Sequence, residues 1–94
     1  MSGSVILLAN ASATGNGVTW PGGDGEFVVA GTFGGATVAL EVLGPDGTTW
    51  INAGSDGTLT AAGVCAFSLA QGQIRASVTG GTPSGIYATA ARTN

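Results

Sequence analysis

"ATVALEVLGPDGTTWINA", residues 36–53, decides the fold. In its first half apolar side chains fall on every second position, so Val38, Leu40 and Val42 share one face while Thr37, Ala39, Glu41 and Leu43 share the other. A period of two marks a half-buried β-strand. The strand expected over 36–43 runs into Gly44-Pro45-Asp46-Gly47, where proline presets φ, the aspartate can accept from nearby amides and glycine tolerates positive φ. The stretch therefore predicts a hairpin to a second strand over 48–53, with Asp46 turning the chain rather than performing chemistry. The same Asp-Gly pair recurs at Asp24-Gly25 and Asp56-Gly57 and is read the same way. Three isolated pairs lack the dense alternation of oxygen ligands that a calcium loop needs, so no metal site is expected.

Working outward, the same alternation predicts strands over 4–9, 25–33, 63–69, 73–79 and 85–92. In "QIRASVT", residues 73–79, Ile74, Ala76 and Val78 take one side and Arg75, Ser77 and Thr79 the other. About seven short strands separated by glycine-rich turns predict an all-β fold, a compact antiparallel β-sandwich, as a single domain over residues 1–94. One segment breaks the alternation. "SVILLA", residues 4–9, is apolar at consecutive positions, placing Val5 and Leu7 on one face of a strand and Ile6 and Leu8 on the other. Two-sided burial fits a central strand, or an N-terminal arm within residues 1–24 that contacts neighbouring subunits. Val5, Ile6, Leu7, Leu8 and Leu43 are the candidate protein interface, and the small side chains of Thr89, Ala90 and Ala91 would permit close subunit approach.

Composition supports assembly and narrows function. With 94 residues only one core is available, and it is thin, because fifteen of the apolar residues are alanine and 18 glycines add backbone entropy to the cost of folding. Only 7% of residues are charged and none is lysine, so the surface has weak electrostatic protection against association. Two arginines and a net charge of -3 do not supply phosphate contacts, so no nucleic-acid partner is expected. No apolar run approaches the length of a membrane span, and the N-terminal segment reads as a strand rather than a secretion signal. A glycosylation sequon at Asn10-Ala11-Ser12 is, in a chain read without an export signal, a chance match. The lone Cys65, inside "GVCAFSL", reads as a small buried hydrophobe.

The side chains that handle protons are scarce. There is no histidine, no lysine and only five carboxylates, so the usual acid, base and nucleophile partners are missing and no enzyme activity or cofactor is expected. Glu26 and Glu41 are the one pair that glycoside hydrolysis would have to use, yet both fall at polar phases of strands. The glycine-rich stretches lack a phosphate-loop lysine and a following helix, which removes nucleotide binding. Trp20, Trp50 and Tyr87 are candidate stacking residues for a glycan, although core packing competes for at least one of the tryptophans.

"GTFGGATVALEVLGPDGTTWINAG" (31–54) and "LTAAGVCAFSLAQGQIRASVTGGTPSGIYATAAR" (59–92) together resemble small virion structural proteins of tailed bacteriophages and prophages. The likeness spans about residues 25 to 92 and rests on the order of its elements: the F-G-G-A-T-V start, the P-D-G-T-T-W hairpin, the L-T-A-A-G turn and the A-Q-G-Q-I-R-A-S-V-T-G-G strand before T-P-S-G-I-Y-A. Two positions depart from it: Ile74, where an aromatic would be expected, and Cys65, where a plain aliphatic would serve. The resemblance implies a β-sandwich on the phage particle, assembled in the bacterial host cytoplasm. It implies a head decoration or cement protein, a head fibre or a neck protein, with other copies of itself, most simply as a homotrimer, and the major capsid protein or other virion proteins as partners. The alternatives are a glycan-binding module on the virion and a neck or tail adaptor.

Overall fold

The alternation in residues 37–43 folds as expected, with Val38 and Leu40 fully buried. The computed structural model describes residues 4–53 and 58–93. In chain order the strands are β1 (Ser4–Ala11), β2 (Val18–Trp20), β3 (Gly23–Thr32), β4 (Thr37–Leu43), β5 (Trp50–Asn52), β6 (Thr58–Leu59), β7 (Gly63–Leu69), β8 (Gly72–Thr79) and β9 (Ser84–Arg92). All pairings are antiparallel, and they build two sheets. The first has the order β1-β9-β3-β7; the second has the order β2-β8-β4-β5, with β6 also pairing β4. Among the described residues nine strands replace the expected seven. The two additions, β2 and β6, are three and two residues long, too short for a period of two to register in the sequence.

The sheets bury their facing sides. Phe27 and Val29 of β3, Ile86, Ala88 and Ala90 of β9, Val38 and Leu40 of β4, Ile74 and Ala76 of β8 and Trp20 of β2 form the centre of the core. Each large side chain among them contributes about 1.5–3 kcal/mol by leaving water. Three small residues on β9 and β8 let the facing sheet sit close. Ala90 is therefore a core residue and not a contact for a neighbouring subunit.

The Asp46 hairpin is the clearest local success. The Gly47 amide donates to the Gly44 carbonyl at 3.0 Å, closing the turn with Gly47 at φ 78°. Asp46 Oδ1 accepts the Thr48 and Thr49 amides at 3.0 and 2.9 Å, and the Thr49 hydroxyl donates to Oδ2 at 2.5 Å. These donors, led by the Thr49 hydroxyl, lower the Asp46 pKa from 3.8 to about 2. The carboxylate's contribution is thus complete above pH 3.8 and disappears as pH falls through about 2. Asp46→Ala should melt below the parent at pH 6, and the gap should close as the comparison is moved to pH 2. Thermal melts of both proteins across that range check it.

Asp24-Gly25 does not repeat this role. It lies inside β3, where Asp24 pairs with Ser68 of β7 and Gly25 with Phe67. Glycine stands at 25 because a Cβ would lie 2.8 Å from both the Phe67 and Trp20 rings. Asp56-Gly57 lies outside the described residues.

Candidate docking face

The run "SVILLA" resolves through a β-bulge. Ile6 pairs with Thr89 and Leu8 with Ala88, so two steps along β1 match one step along β9 and Leu7 is the extra residue. Strict alternation would put Leu7 and Leu8 on opposite faces; the bulge turns both into the core, leaving Ile6 outside. Val5 is half-buried against the core. Leu43 pairs with Trp50 in the other sheet. The five candidate interface residues therefore do not form one patch: two are core, and Ile6 and Leu43 belong to different sheets.

A different set comes together around Ile6. Val28 alternates with the buried Phe27 and Val29, Val64 lies on β7, and Tyr87 sits between the buried Ile86 and Ala88, so all three face outward from the first sheet. Register places Ile6 beside Thr89, Thr89 beside Val28, and Val28 beside Val64, a continuous row across all four strands. Tyr87 flanks the row next to Ala30. Exposures are 67% for Ile6, 36% for Val28, 57% for Val64 and 52% for Tyr87. Of the large exposed apolar side chains described, only Ile51 lies elsewhere.

The outer face of the second sheet is dressed by the chain itself. The Arg75 guanidinium stacks 4.5 Å from the centre of the Trp50 ring, and its Nε donates to Glu41 Oε1 at 2.6 Å. The far edge of the Trp50 ring reaches Gly17 in the β1–β2 connection, where a Cβ would lie 2.8 Å from it. Ala39 and Ser77 below are buried. One side of the sandwich is thus capped by an aromatic ring and an ion pair, while the other presents bare aliphatic surface.

This geometry separates the remaining candidates. Trp20 is fully buried, its ring 5.0 Å from that of Phe67, and offers no face to a sugar. Trp50 and Tyr87 lie on opposite outer faces, so the three aromatics share no stacking platform. Glu26 and Glu41 are likewise on different sheets, and Glu41 is held by Arg75. A wide-open depression of about 470 Å³ lies at one end of the first sheet between Asp24, Glu26, Ser68 and Thr93. Among the described residues no three histidine, cysteine or acidic side chains converge as metal ligands.

Comparison with known proteins adds one strong likeness. No protein-family model matches the chain. No curated protein matches it in sequence. Among solved structures, the SPBc2 prophage-derived protein YomS superposes with a TM-score of 0.67 over 97% of this chain and 90% of that one, at 11% identity. A structure of infectious bursal disease virus, Gt strain, matches at a TM-score of 0.35 over 28% of that chain and carries no weight. The chain shares its β-sandwich fold, across nearly its whole length, with a protein of prophage origin.

Proposed function

We propose that this chain is a virion structural protein of a tailed phage or prophage, binding the head surface as a decoration or cement protein in several copies. The observation that carries the reading is the bare apolar row Ile6–Thr89–Val28–Val64, flanked by Tyr87, on a chain whose other sheet face is already covered. Exposed aliphatic surface that continuous is the hallmark of a protein–protein contact. The shared fold with a prophage-derived protein and the scarcity of proton-handling side chains support the same reading. Function here is adhesion: a rigid sandwich presents a flat face, and repeated copies multiply a modest single contact through multivalency.

Gradient-purified particles from the host carrying the gene should contain the chain at a fixed ratio to the major capsid protein, with immunogold label on heads. Val28→Lys or Tyr87→Lys places a charge in the row without touching the core. Each should lower occupancy on particles at least about tenfold, equivalent to roughly 1.4 kcal/mol per contact, while leaving the melting temperature within a few degrees. A chain found only in the unsedimented fraction would refute the virion role. Full occupancy by both lysine variants would refute this face.

A further inference from the structure

We propose that Asn16-Gly17 is a self-modifying site: the backbone closes on the Asn16 side chain to a succinimide, which water opens to aspartate and isoaspartate. It is the one Asn-Gly pair in the chain, and both residues are exposed in the connection between β1 and β2. The connection is pinned on either side of the pair. Before it, the Gly15 amide donates to the Ala76 carbonyl at 3.1 Å, and the Thr14 hydroxyl accepts the Val78 amide at 3.0 Å. After it, Val18 opposes Ile74. Three steps from Gly15 to Val18 therefore match two from Ala76 to Ile74, and the surplus residue falls at the pair. Main chain that bulges away from a ladder keeps the torsional freedom that ring closure needs, and a glycine after the asparagine puts no Cβ in the way of the attack. Asn10 and Asn52, by contrast, sit in β1 and β5, and each precedes alanine.

The chemistry asks nothing of other side chains, which suits a chain without histidine or lysine. The Gly17 amide nitrogen gives up its proton and bonds to Asn16 Cγ; the carboxamide nitrogen takes up that proton and leaves as ammonia. One water then adds to the ring. Opening at Cγ yields aspartate, whereas opening at the Asn16 backbone carbonyl yields isoaspartate, in which the main chain runs through the side chain and is longer by one methylene. No oxidant or reductant takes part. The position gives the second product a consequence. A Cβ on Gly17 would lie 2.8 Å from Trp50 Cη2 and 3.1 Å from Gln73 Oε1, so packing keeps glycine at 17, and the ring edge stands where added bulk would go. The extra methylene must be taken up by shifting β2 along β8 or by moving the Trp50 ring. That ring carries the stacked Arg75, whose Nε donates to Glu41, so isoaspartate at 16 loosens the cap over the second sheet.

The test is made in solution and does not depend on the virion role. The purified chain is incubated at mildly acidic and at mildly alkaline pH and mapped by peptide mass spectrometry. Asn16 should convert at least about tenfold faster than Asn10 or Asn52, and faster at alkaline pH, because the attacking nitrogen must lose its proton. Among the described residues Arg75 and Glu41, the charged side chains on this face, are engaged with each other, so the pH dependence belongs to the Gly17 amide. A carboxyl methyltransferase directed at isoaspartate should label the aged chain and leave an aged Asn16→Gln variant unlabelled, since the longer side chain closes a ring poorly. Asn16→Asp reproduces the other product at unchanged backbone length and should melt with the parent, whereas aged material rich in isoaspartate should melt several degrees lower. An Asn16 that stays intact in the folded chain, while a free peptide of residues 12–20 converts under the same conditions, would overturn the proposal. Equal conversion at Asn10 or Asn52 would do the same. Isoaspartate-rich material that melts with the parent would overturn the loosening of the cap.

Discussion

Leu8→Asp is expected to unfold the domain, and Ile6→Asp, two residues away, to leave it folded. Leu8 is 4% exposed, pairs with Ala88 and packs against Gly15, where a Cβ would lie 2.8 Å from Leu8 Cδ2. Removing it forfeits about 2–5 kcal/mol of packing, and the carboxylate that replaces it must be buried without a cation, since both arginines lie elsewhere, on β8 and at the end of β9. A total above roughly 4 kcal/mol is comparable with the whole stability of a chain this size and corresponds to a fall in melting temperature of about 20 °C or more. Ile6 faces solvent on the outer side of the bulge, so its replacement should cost about 1 kcal/mol or less. Circular dichroism melts of the two variants read the contrast directly. Equal destabilisation would mean that β1 alternates regularly and that the bulge at Leu7 is absent.

That contrast also marks how far the sequence could be read. The Asp46 hairpin was legible because a turn's requirements are local: proline, aspartate and glycine state their φ preferences within four residues. Strands β4, β7 and β8 were legible because each alternates strictly on a sheet with one face in the core. The bulge in β1 was not, since a run of apolar residues is the same string whether a strand is buried on both faces or shifts phase halfway. Asp24-Gly25 misled for a related reason. A glycine that relieves a turn and a glycine that clears room for two aromatic rings look identical until Trp20 and Phe67 are brought together from 5 residues before and 42 after. The docking row was half visible: Val28 and Val64 stand at the polar phases of their own strands, beside Glu26 and Ser68, and apolar residues at a solvent phase are the available signal. Only register, which joins β1, β9, β3 and β7, turns those scattered residues into a single face.

Glycine substitutions should divide sharply by position. At Gly31 the β3–β9 ladder slips between Ala30 and Thr32, φ is 134°, and a Cβ would collide with the Gly85 carbonyl. At the corner between the β3–β4 and β8–β9 turns, Gly34 and Gly81 interlock: the Thr82 amide donates to the Gly34 carbonyl at 3.0 Å, and a Cβ on Gly81 would lie 2.5 Å from that same carbonyl. Both glycines have φ 58°. The obstructing atoms are backbone, which cannot rotate away, so the strain of a left-handed conformation, about 1–3 kcal/mol, adds to an overpacking cost of similar size. Gly31→Ala and Gly81→Ala should each lose roughly 3–5 kcal/mol. Gly47, at φ 78° but with open space around it, should lose about 1 kcal/mol on the same change. Gly72 has neither a positive φ nor a neighbour within reach, so alanine there should be neutral or add about 0.5 kcal/mol by restricting the unfolded chain. Chemical denaturation of the four alanine variants should rank them Gly72, Gly47, then Gly31 and Gly81 together. A Gly81→Ala protein as stable as Gly47→Ala would show that the two turns do not interlock, and with them would go the rigid corner that fixes β4 and β9 in their separate sheets.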